Sequence, residues 1–347
     1  MKNFAEIDKN FKVETAIKRD GLIFTNVLEA PFKVYGLMYE DGMFRRMPDE
    51  AAEKVSDRVH FLHKDAAGGR VRFRTDSMNV AILVKSSAPR PFVHFTIAGS
   101  SGFDLYADNE YVNTFLPSAD MTEGYESKRE FADKKMRDIT INFPLYSQVS
   151  ELYIGLDEDC VVEEAAPYVN EKPVVFYGSS ITQGGCASRP GRCYEAILSR
   201  RFNLDYINLG FSGNAKAEDA MSDYIKGLSM SLFVYDYDFN APDVDHLRAT
   251  HEKMFKAVRA AQPELPIIIM SKPRAILDER DRERRAVIET TYQNALAAGD
   301  QNVYFLDGPT LMKYCGNEGT VDRTHPTDFG FASMAKAVSS VFESLNF

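Results

Sequence analysis

The sequence predicts a two-part α/β chain, an antiparallel β-sandwich followed by a parallel sheet wrapped by helices. Three observations carry this. The chain has 347 residues, and at about 150 residues per domain that suggests two domains. Up to about residue 156 the apolar residues come in short period-two runs broken by Gly and Pro. Beyond residue 173, short apolar strands alternate with helix-length segments.

In the first half, 48–55 hints at the one short helix. Val71, Phe73 and Thr75 alternate with charged residues, and 80–84 is a continuous apolar run. The segments 93–97, 139–143 and 152–156 alternate again, with Gly68, Gly69, Pro89, Pro91, Gly99 and Gly102 as punctuation. Many short strands between turn residues form a sandwich pattern. Residues 157–173 hold Asp157, Glu158, Asp159, Glu163, Glu164, Pro167, Glu171 and Pro173. They read as an acidic linker or an irregular crossing segment, dividing the chain into domains 1–165 and 166–347. After it, strands are expected at 174–177, 205–209, 232–235, 266–270 and 303–306. Helices are expected at 190–202, 217–225, 243–261, 281–298 and 327–345. This alternation implies a parallel sheet with helices on both faces.

Composition excludes several classes. Hydrophobic residues at 44% and charged residues at 27% are globular values, against disorder and fibres. Fifty-one acidic against 41 basic residues give a net charge of −10, which repels phosphate backbones and argues against a nucleic-acid partner. No apolar run reaches the roughly 18 residues of a membrane span. Residues 1–11 show no signal-peptide pattern, so the chain as it stands is expected in the cytoplasm, with secretion open if a leader has been removed. Four cysteines make no disulfide scaffold. Cys186 and Cys193 are expected as free thiols.

Reactive groups in a doubly wound sheet sit at the carboxyl ends of the strands. After the first strand comes Gly178-Ser179-Ser180-Ile181. Such a strand-to-helix turn can expose a serine hydroxyl and aim N–H groups at an anion, or be a plain polar turn. The absence of a lysine after the glycines excludes a P-loop. After the second strand, Gly213 is either a close-approach N–H donor or a turn residue. After the third, Asn240 is either an amide donor to an oxyanion or a helix cap. Near the C-terminus, Asp322 stands three residues before His325, where it can hold Nδ1–H and leave Nε2 free as a base. The alternative is a surface histidine before a helix. His246 and His251 are read as solvated or packed.

Together and in this order, these residues resemble the SGNH (GDSL-type) hydrolases. Gly178-Ser179-Ser180-Ile181 matches the first block, Gly213 the second, Asn240 the third, and Asp322 with His325 the last. A narrower resemblance is to the subgroup whose hydrolase domain follows a sandwich with a Gly-x-Asp-Leu-Tyr signature, matched here from Gly102 through Asp104 to Tyr106. The resemblance implies a jelly-roll-like sandwich and a flavodoxin-like domain with a five-stranded parallel sheet. It implies a serine esterase of carbohydrate type with Ser180 as nucleophile, His325 as base and Asp322 as its orienter. The oxyanion would be held by the Ser180 and Gly213 N–H groups and the Asn240 amide. Two departures stand out: Ser179 replaces the usual Asp, and Ala241 replaces the Asp of the third block. Ser179, Arg189 and Arg192 are further expected to contact substrate, although the two arginines read equally well as partners of surface carboxylates. Asp104, Tyr106 and Tyr111 read as sandwich core and edge, with reaching over the catalytic cleft or stacking on sugar as the alternatives. No cofactor and no metal ion are needed. The expected partner is a small-molecule or oligosaccharide ester, with no nucleic acid and no membrane, and a homo-oligomer stays open. Rival readings are a lipase or thioesterase of the same mechanism, and a carbohydrate-binding protein with a vestigial site. The complete residue set speaks against the second. The lack of an apolar lid segment near the motifs speaks against long acyl chains.

Overall fold

The computed structural model describes residues 16–347; the reading of residues 1–11 and the start of the 1–165 segment lie outside them. The chain runs through β1 (Leu22–Asn26), β2 (Lys33–Tyr35) and a short hairpin of β3 (Met38–Glu40) and β4 (Met43–Arg45). Two helices follow, α1 (Asp49–Val55) and α2 (Asp57–Leu62). Only the first was expected. Ser56 separates them in extended conformation, and its Oγ accepts the Val59 N–H at 3.2 Å, which starts the second helix.

Next come β5 (Arg70–Thr75), β6 (Asn79–Ser86), a single-turn helix α3 (Ile97–Ser100), β7 (Phe103–Ala107), β8 (Glu110–Phe115), β9 (Gly124–Glu130), β10 (Arg137–Asn142), β11 (Val149–Asp157) and β12 (Val162–Glu163). They build two antiparallel sheets, ordered β1-β11-β6-β9 and β12-β5-β10-β7-β8, with β2 also pairing β5. The period-two residues face inward. Val71 and Phe73, Ile139 and Ile141, Val80 and Ile82, and Leu152 and Ile154 share one buried core.

Two expectations need correction. Residues 93–97 form no strand. Thr96 Oγ1 accepts the Gly99 N–H at 2.9 Å and so caps α3, while Pro89 and Pro91 upstream lack the N–H groups a sheet ladder requires. The acidic segment 157–173 is not wholly irregular, since β12 within it extends the second sheet beside β5.

The second half forms β13 (Val174–Gly178), α4 (Ser180–Gln183), α5 (Tyr194–Phe202), β14 (Tyr206–Gly210), α6 (Asp219–Lys226), β15 (Leu232–Asp236), α7 (Val244–Ala261), β16 (Ile267–Met270), α8 (Glu279–Ala297), β17 (Val303–Leu306), α9 (Gly308–Leu311) and α10 (Asp328–Ser344). The sheet order is β14-β13-β15-β16-β17, and every pairing is parallel. Each residue of β13 and β15 is buried, as expected for strands covered on both faces. One core lies between the sheet and α5 and α10, the other under α6, α7 and α8. In this order the chain reverses direction of winding at β13, so the crevice opens at the carboxyl end of that strand.

The halves are joined by buried charge. The Arg70 guanidinium pairs with Asp205 and lies 4.0 Å from the centre of the Tyr206 ring. Asp104, with no exposed surface, accepts from Asn142 Nδ2 at 2.7 Å, from the Gly191 N–H at 2.7 Å and from Arg189 Nη1 at 2.9 Å. Asp104 and Tyr106, whose hydroxyl donates to the Gly191 carbonyl at 3.4 Å and accepts from Arg189 Nη1, are therefore more than sandwich core: they clamp the 189–191 loop of the other half. Burial pushes the Asp104 carboxyl up from its ordinary range, against the hydrogen bond from Asn142 and the charge of Arg189.

Candidate active site

The turn after β13 places two serines in different situations. Ser179 is fully buried, and its Oγ accepts the Ile181 N–H at 3.1 Å. It caps α4, so the expectation that it touches substrate is corrected. Ser180 is the first residue of α4, where N–H groups have no intrahelical partner. Its Oγ lies 2.9 Å from His325 Nε2. On the other side of that ring, Nδ1 lies 2.8 Å from Asp322 Oδ2. Asp322 Oδ1 accepts the N–H groups of Thr324 at 3.0 Å and His325 at 2.8 Å, so the carboxylate is fixed by its own turn. Partial burial works to raise its pKa, but the backbone and ring hydrogen bonds of His325 and the Thr324 N–H outweigh it and hold the group at about 2.

Gly213 has φ +72°, a left-handed conformation that glycine adopts without strain, and open space surrounds its α-carbon. Among the described residues its N–H meets no acceptor. Asn240 lies in a one-turn 3₁₀ segment after β15. Its Oδ1 accepts the Ala215 N–H at 3.1 Å, which turns Nδ2 away from that loop. The segment is held from behind by Asp238, buried and paired with Arg284 Nε at 2.7 Å. Deeper still, Asp236 is completely buried, and that burial together with the Asp238 charge pushes its carboxyl up to about 7.

The two arginines are engaged elsewhere. Arg189 Nη1 donates to Asp104, and the guanidinium lies 3.6 Å from the centre of the Tyr111 ring. Arg192 Nε donates to Asp328 Oδ2 at 3.2 Å, and Asp328 also accepts from the Ser188 N–H and hydroxyl. Of the two readings open for these arginines, pairing with carboxylates is the one seen. Cys186 and Cys193 are free thiols. Burial, and then the charge of Asp322, push the Cys186 thiol up to about 12, which leaves it unreactive. His251 is buried, stacked on Tyr235 and bonded to Thr291, and burial holds it down at about 3. His246 Nε2 is bonded to the Lys216 carbonyl.

Sequence reasoning missed the part of the site supplied by the sandwich. The segment before α3 crosses to the loop after α4, where Thr96 Oγ1 donates to the Ser188 carbonyl at 2.7 Å. It sets the Phe95 ring edge-on to His325, 6.1 Å between centres, and His94 Nε2 3.9 Å from Asp322 Oδ2. Phe92, Phe95 and Tyr146 form one aromatic group beside the site, and Val93 is 94% exposed. An exposed apolar segment therefore does stand near the motifs in space, though more than eighty residues away in sequence. Its only sequence signal was the density of aromatics after Pro91, which the alternation of 93–97 disguised as a strand. A concavity of about 610 Å³, lined by Phe255, Arg259, Asn294 and Asn302, lies at the opposite, amino end of the strands.

Comparison with known proteins agrees with this arrangement. Residues 171–343 match the GDSL-like lipase/acylhydrolase family, and residues 22–162 match the GxDLY N-terminus of SGNH-hydrolase-type esterases. No curated protein matches the sequence. Among solved structures, a GDSL-like lipase from Bacteroides ovatus superposes with a TM-score of 0.81 at 25% identity, over 93% of this chain and 97% of that one. A salicylyl-acyltransferase from a tetracycline biosynthetic pathway gives 0.77 at 20% identity, over 95% and 99%. An acetyl xylan esterase from the rumen bacterium Butyrivibrio proteoclasticus gives 0.60 at 12% identity, over 93% and 98%. The last two speak for the fold. With both halves matched in order, the chain belongs to the SGNH (GDSL-type) esterases that carry an N-terminal GxDLY domain, and is a carboxylic ester hydrolase.

Proposed function

We propose that the chain is a serine esterase that removes small O-acyl groups, acetyl foremost, from carbohydrates. The observation that carries this is the continuous hydrogen-bonded line from Ser180 Oγ through the His325 ring to Asp322, at the N-terminus of α4. Ser180 Oγ attacks the ester carbonyl carbon as its proton passes to His325 Nε2. The tetrahedral oxyanion accepts hydrogen bonds from the Ser180 and Gly213 N–H groups and from Asn240 Nδ2, each worth on the order of 10²–10³ in kcat. Collapse breaks the bond to the leaving alcohol, which takes the proton from His325. Water then attacks the acyl-enzyme through the same base and releases the acid. Asp322 remains a carboxylate throughout and stabilises the imidazolium.

The sugar reading is supported by relatives in fold that are described as family two carbohydrate esterases and as an acetyl xylan esterase. A second reading, an acylhydrolase for aromatic or longer acyl groups, is favoured by the apolar surface of Phe92, Val93 and Phe95 beside His325. Initial rates on 4-nitrophenyl acetate, butyrate, octanoate and benzoate, beside acetylated xylo- and manno-oligosaccharides, separate the two. Preference for acetyl and turnover of the acetylated sugars is the expected result. A rate that climbs with chain length, at about 0.8 kcal/mol per buried CH₂, or a preference for benzoate, overturns it in favour of the second.

A further inference from the structure

Gln183 closes α4 and has no exposed surface. Its amide is fully used. Nε2 donates to Asp65 Oδ2 at 3.1 Å and to the Leu145 carbonyl at 3.2 Å, and Oε1 accepts the Ser212 N–H at 3.0 Å. A carboxylate and a carbonyl on one side and an N–H on the other leave the amide a single sensible orientation. Ser212 immediately precedes Gly213. The Ser212 carbonyl, which shares a peptide plane with the Gly213 N–H, accepts from Asn214 Nδ2 at 2.7 Å. The plane carrying the Gly213 N–H is thus held by Asn214 through the Ser212 carbonyl, and the peptide plane just before it is held by Gln183 through the Ser212 N–H. Gln183 is in turn held by the sandwich half. Asp65 is completely buried, and Arg90 Nη1 donates to its Oδ2 at 3.0 Å, with Nη2 on the other oxygen.

We infer that Asp65 and Arg90, acting through Gln183, are positioning residues for the Gly213 oxyanion donor, so that the sandwich half sets transition-state stabilisation in the hydrolase half. None of the three reaches the reacting atoms. They fix the direction of a backbone N–H whose value depends on being aimed before the charge develops. The inference rests on the proposed serine mechanism, and the test keeps the two apart.

The test uses the full chain with Asp65→Asn, Gln183→Glu and Arg90→Gln, beside Ser180→Ala. Asp65→Asn keeps the shape but removes the charge that orients Gln183 and Arg90. Gln183→Glu keeps an acceptor for Ser212 but faces Asp65 with a second carboxylate. Arg90→Gln, at a partly exposed position, is the variant expected to fold if the buried ones do not. For folded Asp65→Asn and Gln183→Glu, kcat on 4-nitrophenyl acetate is expected to fall about 10- to 100-fold, short of the loss for deleting a donor outright. Arg90→Gln is expected to fall about threefold to tenfold. KM should stay within about twofold, and the acid limb of the pH–rate profile should not move, because the base is untouched. Inhibition by phenylboronic acid, whose tetrahedral adduct with serine puts an oxygen in the oxyanion site, should weaken by the same factor as kcat. A purely structural role would lower the folded fraction without that parallel. Folded variants with wild-type kcat and wild-type boronate affinity overturn the inference while leaving the serine mechanism in place. An active Ser180→Ala overturns the mechanism itself.

Discussion

The hydrolase half supplies all the groups proposed to react, Ser180, Gly213, Asn240, Asp322 and His325, and each sits in a short stretch at the carboxyl end of the sheet. The sandwich half supplies Asp65, Asp104, Leu145 and Phe95, and each of these works by holding or flanking something in the other half. The difference is one of range. Reacting groups are set by local turns, such as Ser179 capping α4 or Asp322 binding the N–H groups two and three residues on. The clamps are set by contacts such as Gln183 to Asp65, 118 positions apart. The chemistry is concentrated in one half, but the rigidity it requires is shared by both.

Adjacent serines give the sharpest version of that comparison. Ser180→Ala is expected to lower kcat by about 10⁴-fold or more with the melting temperature unchanged. Ser179→Ala should do the reverse, keeping activity and losing about 1 kcal/mol of stability with its cap. Kinetics and thermal melts on the two variants check this, and a dead Ser179→Ala beside an active Ser180→Ala would exchange their roles.

Next in size is Asp322→Asn, expected to cost up to about 10⁴ in kcat. The wild-type carboxylate stays charged down to about pH 2, so its own protonation does not set the acid limb of activity. Removing the negative charge disfavours imidazolium, so that limb should move to lower pH. Asn240→Ala should cost about 10²–10³ and leave the limb in place, since the amide faces the oxyanion. Full pH–rate profiles of both variants distinguish orienter from donor, and a shifted limb in Asn240→Ala would break the assignment.

The smallest effect on chemistry is expected at the clamp. Asp104→Ala leaves Arg189 and the Gly191 N–H without their buried partner, and should cost about 3–5 kcal/mol in unfolding free energy. The molecules that remain folded should retain kcat within about tenfold, because no group at Ser180 is removed. Urea unfolding and active-site titration together measure both quantities. A fully stable Asp104→Ala would mean that the two halves are joined by something other than this pair.

Much of this was legible in the sequence, for physical reasons that differ by element. The parallel sheet was readable because β13 and β15 are buried on both faces and so appear as unbroken apolar runs. Val71, Phe73, Ile139 and Ile141 were readable because one face of their sheet is core. The 93–97 segment misled because its apolar residues alternate without being buried: Val93 and Ile97 are exposed, and Phe95 packs on Phe92 and Tyr146 and not in a sheet. The second helix at Asp57 was hidden because Ser56 ends one helix and caps the next. At the site, Ser180, Asp322 and His325 each left a plain reading open when taken singly, and only their joint order and the resemblance it carries put them in one set; the structure brings them within hydrogen-bond distance. Ser179 was misjudged because a hydroxyl beside a nucleophile looks the same in sequence whether it faces substrate or its own helix. Arg189 and Arg192 were undecidable, since their carboxylate partners Asp104 and Asp328 lie 85 and 136 positions away.

The buried ionic seam between the halves also bears on how the molecule melts. If the sandwich opened alone, Arg189 and Gln183 would lose the carboxylates that hold them. If the hydrolase half opened alone, Asp65 and Asp104 would lose donors in the same way. Either partial state gives up these charge-assisted hydrogen bonds and bares the packed surface around them, so both are poor resting points on the path to the unfolded chain. Two halves joined in this way are expected to come apart in one cooperative step, as a single thermodynamic unit.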